Sequence, residues 1–103
     1  MTNYGLKLPA RDIHMDIPPL VCPSCKETYL HHGGVISIVR DIEDGPGTRV
    51  EHDAGVTIKR VEDADIMGRR DVVFIKFWCE TCSTHPQLVI QQHKGQTFLA
   101  WMG

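Results

Sequence analysis

Apolar and polar positions alternate with a period of two through much of the second half of the chain, the signature of β strands with two unlike faces. The clearest run is Val72-Val73-Phe74-Ile75-Lys76-Phe77-Trp78-Cys79. Alternation places Val73, Ile75, Phe77 and Cys79 on one face and Val72, Phe74, Lys76 and Trp78 on the other. Residues 35–40 and 56–61 are rich in β-branched side chains and predict two more strands. Asp44-Gly45-Pro46-Gly47 is a turn signal, and residues 49–53 can fold back across it as a hairpin. Residues 87–92 and 96–101 flank His93-Lys94-Gly95 and predict a closing hairpin with Gly95 in its turn. His31-His32-Gly33-Gly34 reads as a break ahead of the first strand. The polar stretch 62–70, around Gly68, has room for one short helical turn. No heptad and no internal repeat is visible. The expected class is mainly β, a small antiparallel sheet.

A length of 103 residues suits one domain and leaves no room for a second core. Pro9, Pro18 and Pro19 predict an extended N-terminal arm over residues 1–20, docking only near Ile17, Leu20 and Val21. Residues 21–103 then form the single domain. Hydrophobic residues at 42% and charged residues at 23% exclude disorder across the whole chain. A net charge of −2 gives no global attraction to nucleic acid or to an anionic membrane. No apolar run approaches the ~18 residues of a membrane-crossing helix. Residues 1–9 lack an apolar h-region, so the expectation is a cytoplasmic protein in a reducing compartment, with no membrane partner.

Cys22-Pro23-Ser24-Cys25 and Cys79-Glu80-Thr81-Cys82 contain all four cysteines, in two C-x-x-C pairs with fifty-three residues between them. Two thiolates three apart on a tight turn can bind one ion together. Two such turns facing each other complete a tetrahedron of soft ligands, the closed geometry of structural zinc. Cys22, Cys25, Cys79 and Cys82 are therefore the candidate metal ligands, and Zn2+ in a structural role is the expected cofactor. Iron takes the same four-cysteine set, so the ligands alone leave it open. Four cysteines also allow three disulfide pairings, which a reducing compartment disfavours. A thioredoxin-like redox centre needs one pair at the head of a helix in a βαβ pattern, and neither pair has that setting.

The two knuckles and the hairpin after the second resemble the zinc-ribbon class, and the chain as a whole is similar to small bacterial or phage proteins. The ribbon resemblance implies a small β domain built around one zinc joining residues near 22 and 79. The spacer is longer than simple ribbons carry, so it is a long insertion between the knuckles or a small sheet of its own. Lys26 and Ser83 follow the two pairs where many ribbon knuckles place glycine.

Four cysteines leave a metal no open coordination position, so catalysis at it is not expected. His31 and His32 lie where a ββα-metal nuclease carries its general base. Such a site also needs a second metal held by His or Asn on a following helix, and Asn3 is the sole asparagine. His85, three residues after Cys82, is a surface histidine or a hydrogen-bonding neighbour of the site. Residues 41–71 carry nine acids against five basic residues, and Asp41, Glu43 and Asp44 resemble the acidic tip of transcript-cleavage ribbons. Phe74, Lys76 and Trp78, with Arg60 expected beside them, form the candidate binding face. Aromatics interleaved with cations suit base stacking, whereas the competing reading packs Phe74 and Trp78 under the middle segment or a neighbouring chain. The expected function is a structural-zinc β domain serving as a protein–protein interaction or regulatory module. A nucleic-acid-binding ribbon is the second reading and requires Lys59, Arg60, Arg69, Arg70 and Lys76 to converge. A metal-dependent nuclease around His31 and His32 is the third.

Overall fold

Each run of alternating residues forms a strand in the computed structural model, which describes residues 18–102. The strands are β1 (Leu30–Arg40), β2 (Gly47–His52), β3 (Val56–Val61), β4 (Val72–Cys79), β5 (Gln87–His93) and β6 (Gln96–Met102). They make one open sheet in the order β3-β2-β1-β4-β5-β6, with every neighbouring pair antiparallel. Most of the expected N-terminal arm, residues 1–17, lies outside the described residues. No helix among the described residues is long and apolar enough to cross a membrane.

The long segment between the knuckles is not a separate sheet: it carries β1, β2, β3 and most of β4, continuous with β5 and β6. β1 and β4 are the two inner strands, β2 and β3 extend the sheet on one side, and β5 and β6 extend it on the other. One continuous sheet results because β1 pairs with both β2 and β4, using both of its hydrogen-bonding edges.

β1 begins earlier than its β-branched run suggests. His32 faces Phe77 and Val35 faces Ile75, so Gly33 and Gly34 together oppose Lys76 alone in a β-bulge. The glycines that signal a break in the sequence instead carry the strand through this bulge. A Cβ on Gly34 would come within 3.2 Å of the His52 carbonyl oxygen and 3.4 Å of the Asp53 carboxylate. Its absence lets β2 close in at that point.

After β3 the chain returns across one face of the sheet, through a 3-10 turn at Asp63–Asp65, to reach β4. Ile66 of this connection packs on Ile38, Val72 and Val89, with Ile36, Val61 and Phe74 around them. This is a thin core. The buried apolar side chains among the described residues are these four together with Cys22, Cys79 and Pro86.

A buried charge ties the connection down. Arg40 closes β1 with its side chain 2% exposed. Its guanidinium donates to the Gly45 carbonyl at 2.5 Å, to Asp63 Oδ1 at 2.6 Å and to the Gly68 carbonyl. Its backbone N–H donates to Asp71 Oδ1 at 2.9 Å. One side chain therefore joins the β1–β2 turn to both ends of the crossing segment. Salt bridges from Arg69 to Glu43 and Asp44, and from Arg70 to Glu43, reinforce the same junction from outside. The Arg69 hydrogen bond holds the Asp44 carboxyl below the usual carboxylate range, as Arg60 does for Asp41.

Replacing Arg40 by Met strands two carbonyl acceptors, each unsatisfied buried group costing about 1–3 kcal/mol. Asp63 is half exposed, so Asp63→Asn removes a bond that water largely replaces, at about 1 kcal/mol or less. Urea denaturation should therefore place Arg40→Met well below Asp63→Asn in midpoint. Equal midpoints would show that Arg40 is not the clamp described.

Candidate metal centre

β1 and β4 run antiparallel with Leu30 opposite Cys79, so the start of one and the end of the other lie side by side. The first cysteine pair precedes β1 and the second is entered from β4. The Glu80 N–H donates to the Tyr29 carbonyl at 3.1 Å, extending the strand pairing up to the knuckles.

The knuckles share one backbone plan. In the first, the Lys26 N–H donates to the Cys22 carbonyl at 3.0 Å and the Cys22 N–H to the Glu27 carbonyl at 2.8 Å. In the second, the Ser83 N–H donates to the Cys79 carbonyl at 3.0 Å and the Cys79 N–H to the Thr84 carbonyl at 3.0 Å. Lys26 and Ser83, at equivalent positions, have φ of 68° and 62°. Both hold the left-handed conformation that favours glycine. The missing glycines change the residue type at the knuckle and leave its backbone shape intact.

The four Sγ atoms gather within 4.8 Å of one another, with Cys22 and Cys79 buried and Cys25 and Cys82 half-buried. Cys22 and Cys82 sulfurs stand 3.8 Å apart, and Cys25 and Cys79 sulfurs 3.6 Å. These are far beyond a disulfide bond of about 2.05 Å. A tetrahedral ion with metal–sulfur bonds of about 2.3 Å has edges of about 3.8 Å, which the separations match. Among the described residues this is the sole cluster of three or more such groups that could hold a metal ion. The arrangement can bind one ion with four sulfurs and so fill a tetrahedron.

The thiols are not equivalent before an ion enters. Cys22 is drawn down to about 6, chiefly by the backbone N–H of Cys25, with help from those of Ser24 and from the Thr84 hydroxyl, against desolvation. Cys82 is lowered first by the Thr84 hydroxyl, whose oxygen lies 3.0 Å from its sulfur. At Cys25 the Glu27 N–H acts downwards, but desolvation and the three neighbouring thiols together push the group up to about 12. One negative charge in the cluster opposes the next, and a cation at the centre removes that opposition.

Thr84 is the site residue that sequence reasoning missed. The available signal was a hydroxyl residue two positions after Cys82, where the knuckle carbonyl also accepts from Cys79. The neighbouring position, His85, is exposed and lies beside Pro23, Ser24 and Pro86. His31 and His32 do not converge. His31 stacks on Trp78 with centroids 4.2 Å apart and lies 3.4 Å from Glu80, whereas His32 meets Phe77 edge-on across the strand pair.

The expected binding face is divided by the fold. Phe74, Lys76 and Trp78 share one face, as alternation requires, but each has an occupation there. Phe74 packs on the core, Lys76 Nζ lies 2.6 Å from Glu51 Oε2, and Trp78 is covered on one side by His31. Arg60 pairs with Thr48, which pairs with Val39, and this register places it on the opposite face. It is held there by Asp41 and by Thr48 Oγ1 at 2.8 Å. The acidic middle of the chain thus engages its own cations. No family model, curated protein or solved structure matches this chain.

The left-handed residues give a direct test of the knuckle geometry. Relief of αL strain at Ser83 should make Ser83→Gly more stable by up to about 1 kcal/mol, and β-branched Ser83→Val less stable. Thermal unfolding of the metal-loaded protein measures both. Lower stability in Ser83→Gly would contradict the knuckle conformation.

Proposed function

We propose that this is a structural-zinc β domain whose task is to present a sheet face to a protein partner. The observation that carries the reading is an apolar sheet face opposite the one on which the crossing segment packs, beside a metal site whose four ligands leave no position for substrate. The register aligns Ile58, Val50, Ser37, Val73, Ile90 and Leu99 in one row across all six strands. The next row is Val56, His52, Val35, Ile75, Leu88 and Trp101. Ten of these twelve side chains are apolar. An antiparallel sheet covered on one side normally turns polar residues outward on the other. Here the covered face carries Arg49, Glu51, Lys59 and Lys76 between its apolar positions, and the open face is the more apolar. Val35, Val56 and Ile58 are exposed and the other seven apolar side chains of the two rows are half-buried, and contiguous accessible apolar surface marks interaction sites.

Zinc suits the centre because it has no redox chemistry and accepts a closed tetrahedron of thiolates. Its role is to join the outer ends of β1 and β4. Binding of this type contributes ~10–16 kcal/mol to folding, as much as the whole stability of an ordinary domain at about 5–15 kcal/mol. The internal pairing of Arg60, Arg69, Arg70 and Lys76 favours a protein partner over nucleic acid, since those cations are already engaged.

Two experiments test the reading. Cys79→Ser should abolish the cooperative fold and the bound ion together, read by amide NMR dispersion and metal analysis, whereas retained native dispersion would refute the structural role. A colourless metal-loaded protein is expected, and ferric thiolate absorption would replace zinc by iron. For the face, a photo-crosslinking amino acid in place of Ile58, which is 66% exposed, should trap a polypeptide in the producing cell. Absence of any polypeptide adduct would refute the interaction role.

A further inference from the structure

We propose that the partner on the open face is a second copy of this chain, packed sheet against sheet as a two-fold β-sandwich. This rests on the interaction-module reading and names its partner. Extent is the first argument. Six strands at about 4.8 Å spacing, each offering some 20 Å of length, make a footprint of roughly 600 Å² before side-chain relief is counted. A stable dimer needs about 800 Å² of accessible surface per partner, which a corrugated face of that footprint supplies. A single extended segment, about 5 Å across its backbone, covers a small part of such a face, whereas a second six-stranded sheet covers all of it.

Self-complementarity is the second argument. A two-fold interface brings each patch against its own copy, so like charges inside the patch meet. The two central rows carry no lysine, arginine, aspartate or glutamate. Arg60, in the next row, is at the corner of the face and is already paired with Asp41. Val39, Thr48, Gln92 and Thr97 share that row, with Asp71 between Val39 and Gln92 engaged by the Arg40 backbone N–H, and this mixed polar border surrounds the apolar centre as the rim of an interface does. The centre of the face falls at Ser37 and Val73, where β1 meets β4. Phe77 and Trp101, in edge-to-face contact at 5.4 Å between centroids, supply aromatic surface at the end nearest the metal.

The thin core on the other face points the same way. With four buried residues in the cluster beneath the crossing segment, one sheet face does not bury the apolar surface this sequence carries. Sheet-on-sheet packing about 10 Å apart gives the second face a core of its own.

Sedimentation equilibrium on the full, metal-loaded chain tests the proposal. The expected mass is twice the 11.6 kDa of one chain. Ser37→Glu puts a carboxylate at the centre of both partners, where it faces solvent in a single chain and its own copy in the dimer. It should weaken association by ~100-fold or more while one metal ion per chain and the β-sheet circular dichroism are kept. Ile58→Glu, at the exposed edge of the same row, should weaken it by ~10-fold and serves if Ser37→Glu fails to fold. A wild-type mass of one chain at tens of micromolar overturns the proposal, as does a folded Ser37→Glu that associates as tightly as wild type. The crosslink at Ile58 separates the two readings. An adduct of twice the chain mass supports the second copy, and an adduct to another polypeptide alone keeps the interaction module and overturns the dimer. No adduct overturns both.

Discussion

Four thiols crowded into a space a few ångströms wide resist ionising together, and a cation among them turns that resistance into attraction. This electrostatic condition governs the rest of the molecule because of where the thiols sit. They cap the outer ends of β1 and β4, and that pair is the spine to which both halves of the sheet attach. The two knuckles reproduce each other's hydrogen bonds although they share no residue except cysteine. An ion bound there would close a loop of more than fifty residues, an entropy cost that the thin hydrophobic core would otherwise carry alone.

The sheet built on that spine is lopsided. One face is covered by its own crossing segment, held by Arg40 in a role usually left to apolar packing. The guanidinium meets carbonyls that the turns leave unpaired, so a buried charge here satisfies backbone groups as well as countering Asp63. The other face keeps its two apolar rows on the side away from the crossing segment. Charges that would ordinarily mark the solvent side, Arg49, Glu51, Lys59 and Lys76, sit on the face on which the crossing segment packs. In the proposed reading the metal and the open face are complementary devices: a metal at the cysteines would fix the shape of a small sheet, and the apolar face would give that shape something to bind.

The strands were legible because period-two alternation and β-branched runs are local signals. Residues 56–61 and 72–79 coincide with β3 and β4, and the hairpin through Lys94 and Gly95 lies where turn chemistry places it. The cysteine cluster was legible from spacing. What escaped the sequence depends on residues far apart in the chain. The bulge at Gly33 and Gly34 has meaning only once Lys76 stands opposite. Arg60 lies on the wrong face for the expected platform because strand order and register, not its own neighbours, determine its side. Thr84 and Arg40 acquire their roles from sulfurs and carbonyls that other segments bring to them. The open face is likewise invisible along the chain, since both faces of β1 and β4 read as apolar and only the path of residues 62–71 decides which is covered.

Everything proposed above depends on one ion, held by the four cysteines, maintaining the sheet. Native mass spectrometry of the full chain, purified without added metal and followed through chelation, addresses it most directly. One firmly held metal ion per chain is expected, with loss of the compact charge-state distribution when that ion is removed. A chain that arrives metal-free with four intact thiols and a compact fold would contradict it.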